Sequence, residues 1–197
     1  MTRHFKTGAA LLLAGFLSAC VTPVTSAPVG AFKLSPTYQV SLGREWSDIS
    51  NIMLARPKNV RLLSIDGPLL NRLYLSDGLT PGQFLVKPAT KEKPTPTYHA
   101  SMSPTELVEF ITDSVAALDY QRVETSGLRP APFGGAQALR FDISAKTQQG
   151  LEVSGSAQVA DLDGKLYVIL YLAPSEHYYR TSLAEVEAIM ASARRGS

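Results

Sequence analysis

Cysteine is almost absent from this sequence, since Cys20 is the only one among its 197 residues. A single cysteine excludes an internal disulfide, so stability must come from the hydrophobic core alone. Histidine is scarce as well, and His99 and His177 are the only two beyond the N-terminal segment. Neither lies in an H-x-x-x-H or HExxH spacing, so the sequence contains no recognisable metal motif and we expect no cofactor.

Catalytic signatures are missing too. The sequence contains no G-x-S-x-G elbow, no P-loop and no glycine-rich dinucleotide fingerprint. Asp161 and Asp163 are explained by a hairpin turn, without glycosidase chemistry. A hydrolase would have to combine His99 or His177 with a serine that no motif marks. We therefore expect a protein without catalytic activity.

Neither sign of charge is in excess. The chain carries 19 Lys and Arg against 17 Asp and Glu. Two of the cations, Arg3 and Lys6, lie in residues 1–19, which contain no acid, so removal of that segment leaves 17 of each sign. A balanced chain without a concentrated basic face does not favour nucleic-acid binding.

The N-terminal segment has the pattern of a secretory signal. Arg3 and Lys6 precede an apolar run over residues 8–17, which is about half the length that a membrane-spanning helix needs. Leu17-Ser18-Ala19-Cys20 follows and resembles a bacterial lipobox. The alternative is an ordinary secretory signal in which Cys20 happens to lie near the cleavage site.

The lipobox resemblance implies lipid transfer to the Cys20 thiol, cleavage before Cys20 and N-acylation, palmitate included. Two or three acyl chains anchor a protein stably, whereas one chain binds only marginally. Residue 21 is Val and not Asp, which in the enterobacterial version favours the outer membrane. The expected location is therefore the inner leaflet of the outer membrane, facing the periplasm, with an envelope protein as the partner.

The composition predicts three regions. Residues 1–19 form the signal peptide, and residues 20–37 form the lipidated cysteine and a flexible tether rich in Pro, Ser and Thr. Residues 38–197 form a single α+β domain. Within it, the Lys- and Pro-rich segment 87–97 predicts an exposed loop, with a basic recognition finger as the alternative.

Periodicity predicts two helices and several strands. Ser103 and Glu106 begin a capping box, and Ser182 and Glu185 repeat the same pattern. Strands are expected over residues 38–42 and 60–65 and in the weakly alternating segment before Asp77-Gly78. A further three, at 138–146, 151–160 and 165–172, should form a C-terminal antiparallel meander covered by the amphipathic helices. The last of these is apolar on both faces, which is typical of a central strand.

The order of these elements resembles the PsbP-like fold. The residues that carry the likeness are Phe133-Gly134-Gly135, the hairpin through residues 163–167 and the ending HYYRTSLAEVEAIMASAR at 177–194. The resemblance implies an α/β/α sandwich whose relatives mostly bind proteins or assist assemblies, with no shared catalytic residues. A likeness of fold says little about function.

Two groups of residues are candidates for partner binding, because Tyr and Arg are enriched at recognition surfaces. They are Glu176, His177, Tyr178, Tyr179 and Arg180 in one segment, and Tyr98 and His99 in another. The alternative for Tyr178 and Tyr179 is packing beneath the last helix, and Trp46 is expected in the core. A different function, a small-molecule or lipid carrier, would need a pocket between sheet and helix beside the small residues of 153–159.

Overall fold

The computed structural model describes residues 24–53, 56–88 and 94–195. Of these residues, 45% are in strands and 19% in helices. The strands are β1 Thr25–Ala27, β2 Gly30–Ser35, β3 Tyr38–Leu42, β4 Trp46–Asp48, β5 Val60–Ser64, β6 Arg72–Ser76, β7 Gln121–Phe133, β8 Ala136–Lys146, β9 Glu152–Leu162, β10 Lys165–Pro174 and β11 Arg194–Arg195. The helices are α1 Pro104–Ala116 and α2 Arg180–Ser192, with a π-helical turn Ser175–Tyr179 directly before α2.

Antiparallel pairing builds two sheets. Eight strands form the large sheet in the order β1-β4-β5-β6-β10-β9-β8-β7, and β11-β3-β2 form a small one. The strands β8, β9 and β10 follow one another in sequence and lie side by side in the large sheet. Asp163 and Gly164 join β9 to β10 with φ of +53° and +70°, the left-handed pair that a tight two-residue hairpin needs.

Strand β10 lies inside the large sheet, between β6 and β9. Its side chains from Leu166 to Ala173 are all buried, whichever face they point to. A strand that is apolar on both faces needs cover on both sides. The prediction of a covered central strand is therefore confirmed.

Each face of the large sheet has its own hydrophobic core. On one face, α1 contributes Leu107, Phe110, Ile111 and Val115. On the other face, α2 and β3 contribute Val186, Ile189, Met190, Tyr38 and Val40, and Trp46 is buried among them as predicted. Among the described residues, no helix is long and apolar enough to cross a bilayer.

The start of α1 is the predicted capping box. The Ser103 hydroxyl accepts a hydrogen bond from the Glu106 amide at 3.3 Å, and the Ser103 amide donates to the Glu106 carboxylate at 2.7 Å. Pro104 occupies the first helical turn, where its missing N–H is not needed. The helix therefore begins where its own sequence dictates.

The start of α2 differs from the prediction. The helix begins at Arg180, so Ser182 is its third residue and is buried, and no side chain caps the helix start. The Glu185 carboxylate bonds to a different part of the chain: its Oε1 accepts from the amide of Gly43 at 2.8 Å and from Trp46 Nε1 at 3.4 Å. The capping box predicted at residues 182–185 is wrong because tertiary partners occupy both side chains.

The segment predicted as a flexible tether contains two strands. Strand β1 pairs with β4, with Ala27 opposite Trp46, and β2 pairs with β3 along Gly30–Ser35. Ala27 is fully buried in the second core. The tether prediction is therefore wrong for this stretch, because small and polar residues can pair as strands once partners from elsewhere in the chain are present.

Strand β7 was not predicted at all. It runs for 13 residues at the edge of the large sheet, although it contains Gly127, Pro130 and Pro132. Its register against β8 shifts twice, between residues 121 and 124 and between 126 and 129. Bulges and prolines are typical of edge strands, and they break the alternation that marks a strand in sequence.

The Lys- and Pro-rich segment is described only at its two ends. Lys87 and Pro94 are exposed or partly exposed, in keeping with the predicted loop, whereas Thr95 is buried. Residues 89–93 lie outside the described residues. The chain then returns to the domain at Tyr98, whose amide donates to the carbonyl of Gln83 at 2.8 Å.

Candidate functional site

The Glu176–Arg180 segment forms the connection between β10 and α2. Pro174 ends β10, and the π-helical turn Ser175–Tyr179 follows at once. Arg180 is the first residue of α2 and is exposed. Single π-helical turns are uncommon and occur frequently at functional sites.

A surface groove of about 440 Å³ lies beside this turn. We call it the 176–178 groove, after the three residues of the turn that line it. The rest of its lining comes from Pro174, from Leu70 in the β5–β6 turn and from the β8–β9 turn. In that turn, Leu151 is 51% exposed, and Leu69 next to Leu70 is 87% exposed. Three connections that are distant in sequence therefore meet at one end of the sheet and present aliphatic side chains to solvent.

The residues at the rim of the groove are polar or aromatic. Glu176 and His177 are exposed, and Tyr178 is partly buried. The rings of His177 and Tyr178 meet edge to face, with centroids 5.1 Å apart. Tyr171 in β10 donates its hydroxyl to the Tyr178 carbonyl at 3.3 Å, which ties the turn to the central strand.

Tyr179 points the other way, into the domain. Its ring stacks on Tyr171 with centroids 6.0 Å apart, and its hydroxyl lies 2.8 Å from the Ser156 hydroxyl in β9. Burial raises the pKa of the Tyr179 phenol, so it stays protonated. Tyr179 therefore fixes the turn on the sheet, and Tyr178 is the tyrosine available to the groove.

A polar network that the sequence did not predict lies beside Tyr179. Arg129 in β7 donates to both carboxylate oxygens of Asp142 in β8, at 2.9 and 3.2 Å. Asp142 in turn accepts from the Ser156 hydroxyl at 3.4 Å. The only sequence signal was the polar face of β8, which includes Asp142. Its partner Arg129 lies in the strand that was not predicted, so the pair could not be found.

The second predicted group does not join the first. Tyr98 is buried in the core beneath α1, and its hydroxyl donates to Asp161 at 2.8 Å. Burial, followed by the Asp161 carboxylate, raises the pKa of Tyr98 to about 12. Tyr179 contacts β9 at Gly155, six residues before Asp161, which is about 20 Å along an extended strand. The two groups therefore lie at different ends of the sheet.

The histidines have no arrangement typical of nucleophilic catalysis. His99 is exposed, with its Nε2 3.8 Å from a carboxylate oxygen of Glu106. His177 stacks edge to face on Tyr178 and accepts, through its backbone carbonyl, a hydrogen bond from Thr181. A triad needs a base hydrogen-bonded to a nucleophile and oriented by a third group. These contacts do not supply one.

The small residues of β9 leave no space for a small-molecule pocket at Gly155. A Cβ added to Gly155 would lie 2.7 Å from both Leu172 Cδ2 and the Tyr171 carbonyl oxygen. Ala157 and Val159 on the same strand are buried in the core beneath α1. The small residues of β9 therefore serve close packing. Cys20, the expected lipidation site, lies outside the described residues.

Comparison with solved structures places this architecture among known folds. The chain is similar to the solution structure of cyanobacterial PsbP (CyanoP) from Synechocystis sp. PCC 6803, with a TM-score of 0.52 and 14% sequence identity. The match covers 92% of this chain and 99% of that one. The fold is PsbP-like. At this identity the likeness shows the fold and nothing about ligands or partners.

A second solved structure to which the chain is similar is LpqN, described as involved in cell envelope biogenesis of Mycobacterium tuberculosis. It is 16% identical, with a TM-score of 0.39, and the match covers 88% of this chain and 92% of that one. No protein-family model and no curated protein sequence matches the chain. The function of this PsbP-like domain must therefore be argued from its own surface.

Proposed function

We propose that the chain is a lipid-anchored accessory domain of the bacterial envelope that binds a protein partner through the 176–178 groove. The observation that carries the proposal is the convergence of the partly buried Leu70 and the exposed Leu151 on a groove rimmed by His177 and Tyr178. The PsbP-like α/β/α sandwich acts as a rigid, non-catalytic scaffold for that groove. Cys20 anchors it, and the outer-membrane inner leaflet is the proposed location.

The chemistry of the groove suits a protein partner better than a polar metabolite. Soluble domains rarely leave clustered aliphatic side chains in water unless a partner covers them. A partner that inserts an apolar side chain beside Leu70 and Leu151 would remove this surface from water, with Tyr178 as an aromatic wall. Glu176 and His177 at the rim would add specificity more than affinity.

The test is site-specific photocrosslinking in cells, with the photoreactive amino acid placed at Leu151. The matched control places it at Leu128, which is also an exposed leucine (55%) but lies on β7. We expect one dominant envelope protein to crosslink at 151 and not at 128. Replacement of Leu70 with Ser should remove that crosslink, because Leu70 and Leu151 line the same groove.

Two outcomes would contradict the groove hypothesis. Equal crosslinking at 151 and 128 would indicate general surface contact, and a product that survives Leu70→Ser would indicate another docking site. A thermal shift with an envelope lipid or metabolite in place of a protein product would favour the carrier hypothesis.

The anchor is tested separately. Cys20→Ala should accumulate as an unprocessed precursor that incorporates no labelled palmitate, because transfer of lipid requires the thiol. Mature, membrane-bound Cys20→Ala protein would refute the anchor and leave the groove hypothesis untouched.

A further inference from the structure

The distance between the anchor and the folded domain is short. Strand β1 begins at Thr25, only five residues after Cys20. Five residues span at most about 18 Å when fully extended. If Cys20 carries lipid, as in the function proposed above, the start of β1 stays within about 18 Å of the bilayer, and one surface of the domain faces it.

The direction of β1 in the large sheet shows from which end of the sheet the chain approaches. Strand β1 is antiparallel to β4, and β4 is antiparallel to β5, so β1 and β5 run in the same direction. The register sets Thr25 level with Leu63, near the far end of β5. The chain therefore approaches β1 from the direction of the other end of the sheet, where β5 begins after residues 56–59. We call this the entry end. The 176–178 groove lies at the opposite end, where β10 finishes at Pro174.

The entry end carries cations around a shallow recess. Arg56, Lys58 and Lys87 line an opening of about 360 Å³ together with Phe84. The recess has an ordered wall, because the Arg56 guanidinium donates to the carbonyls of Pro57 and Val60, both at 2.9 Å.

The acids near this end do not cancel its charge. Asp48 forms an ion pair with Arg61, which uses one charge of each sign. Asp77 also lies here, since its amide donates to the Asn59 carbonyl at 2.8 Å. Among the described residues, the lining of the recess thus contains three cations and no acid.

Exposed aliphatic side chains accompany the cations. Val24, the residue before β1, is 49% exposed, and Ile52 in the β4–β5 connection is 38% exposed. Aliphatic side chains flanked by Lys and Arg are the composition of surfaces that lie in the headgroup region of anionic membranes.

We propose that the entry end is a membrane-contact surface for anionic phospholipid. Lys58, Lys87 and Arg56 face the headgroups, and Val24 and Ile52 reach the interface beneath them. Nine residue steps along β10, up to about 30 Å, separate Lys165 from Pro174. The bilayer thus holds the domain in one orientation and presents the 176–178 groove to the periplasm, away from the membrane.

The experiment uses the full lipidated chain in vesicles of phosphatidylethanolamine and phosphatidylglycerol. Acylated Cys20 leaves no free thiol, so one introduced cysteine can carry an environment-sensitive fluorophore. Ile52→Cys places it at the entry end, whereas Leu151→Cys and Leu128→Cys place it at the groove and on β7. We expect quenching by spin-labelled lipid to be about threefold stronger at 52 than at 151 or 128.

Charge reversal tests the headgroup contact. In the Ile52→Cys protein, adding Lys58→Glu and Lys87→Glu should reduce quenching by about half, as should replacing phosphatidylglycerol with phosphatidylcholine. Equal quenching at all three positions, or strongest quenching at 151, would overturn the orientation. If quenching at 52 is unchanged by both the lysine substitutions and the replacement of phosphatidylglycerol, the proposed contact with anionic lipid is wrong. Vesicle flotation separates these results from a failed anchor, because unlipidated chain would not float.

Discussion

Two helices in this domain have the same four-residue pattern at or near their start, but only α1 uses it as a cap. Ser103-Pro104-Thr105-Glu106 is a capping box in which Ser103 and Glu106 are joined by two reciprocal hydrogen bonds. Ser182-Leu183-Ala184-Glu185 has the same Ser and Glu spacing, yet it lies inside α2 and its side chains contact other parts of the fold. A local pattern is thus a cap only where no distant partner competes for its side chains.

The largest difference in unfolding free energy is expected between Ser103→Asp in α1 and Ser182→Asp in α2. Asp is as good an N-cap as Ser, so Ser103→Asp should change the unfolding free energy by less than about 0.5 kcal/mol. Ser182 is buried against the Tyr171 hydroxyl, and an unpaired carboxylate there should cost more than about 3 kcal/mol. Urea denaturation of both variants measures the difference, and similar losses would mean that Ser182 is a cap after all.

The second-largest difference in unfolding free energy is expected between substitutions of Glu185 and Glu187 in α2. Glu185→Ala should lower the unfolding free energy by about 2 kcal/mol, because it removes an acceptor from the amides of Gly43 and Arg44 and from Trp46. The matched control is Glu187→Ala, because Glu187 is exposed on the same helix. This substitution should lower the unfolding free energy by less than about 0.5 kcal/mol. Equal costs in thermal or urea unfolding would refute the link between α2 and the β3–β4 connection.

A smaller effect is expected at the true cap. Ser103→Ala should cost about 1 kcal/mol through the lost hydrogen bond to the Glu106 amide. Thr105→Ala, an exposed neighbour in the same turn, should leave stability almost unchanged. Amide exchange in the first turn of α1 gives the local readout, and unchanged exchange in Ser103→Ala would show that the helix begins elsewhere.

The smallest effect is a pH dependence of the same cap. Hydrogen bonds from the Ser103 amide and hydroxyl hold the pKa of Glu106 below its ordinary value of 4.5. A lowered pKa stabilises the folded state above pH 4.5, and this contribution is lost as the pH falls through the folded-state pKa. An NMR titration of Glu106 should show the lowered pKa in the parent chain and a return toward 4.5 in Ser103→Ala. A titration at the ordinary value in both chains would exclude the box in solution.

The parts of the fold that could be predicted from sequence are those that depend on local interactions, as the start of α1 does. Helix α1, the hairpin at Asp163-Gly164 and the central strand β10 depend on nearest neighbours or on a continuous apolar run. The strands β1 and β2 depend on partner strands up to 23 residues away, as between Thr25 and Asp48, and a short polar stretch does not reveal such partners. Strand β7 contains two prolines and a glycine, so its own composition argues against the structure it adopts.

The candidate site divides in the same manner. The cluster at 176–180 was visible in sequence because its composition is unusual. Which of its tyrosines faces outward was not, since the π-helical turn changes the helical phase and sends Tyr179 to Ser156. Leu70 and Leu151 come from two separate turns, and no sequence pattern links them to that cluster. Tyr98 shows the converse, because an aromatic beside a histidine belongs to the core.

Strand β7 forms one open edge of the large sheet. An edge strand of 13 residues offers a long row of backbone groups with which a second sheet could pair. Two shifts of register and the prolines at 130 and 132 interrupt that row. Where many copies are crowded on a surface, such interruptions oppose the edge-to-edge joining that would turn separate domains into a continuous ribbon.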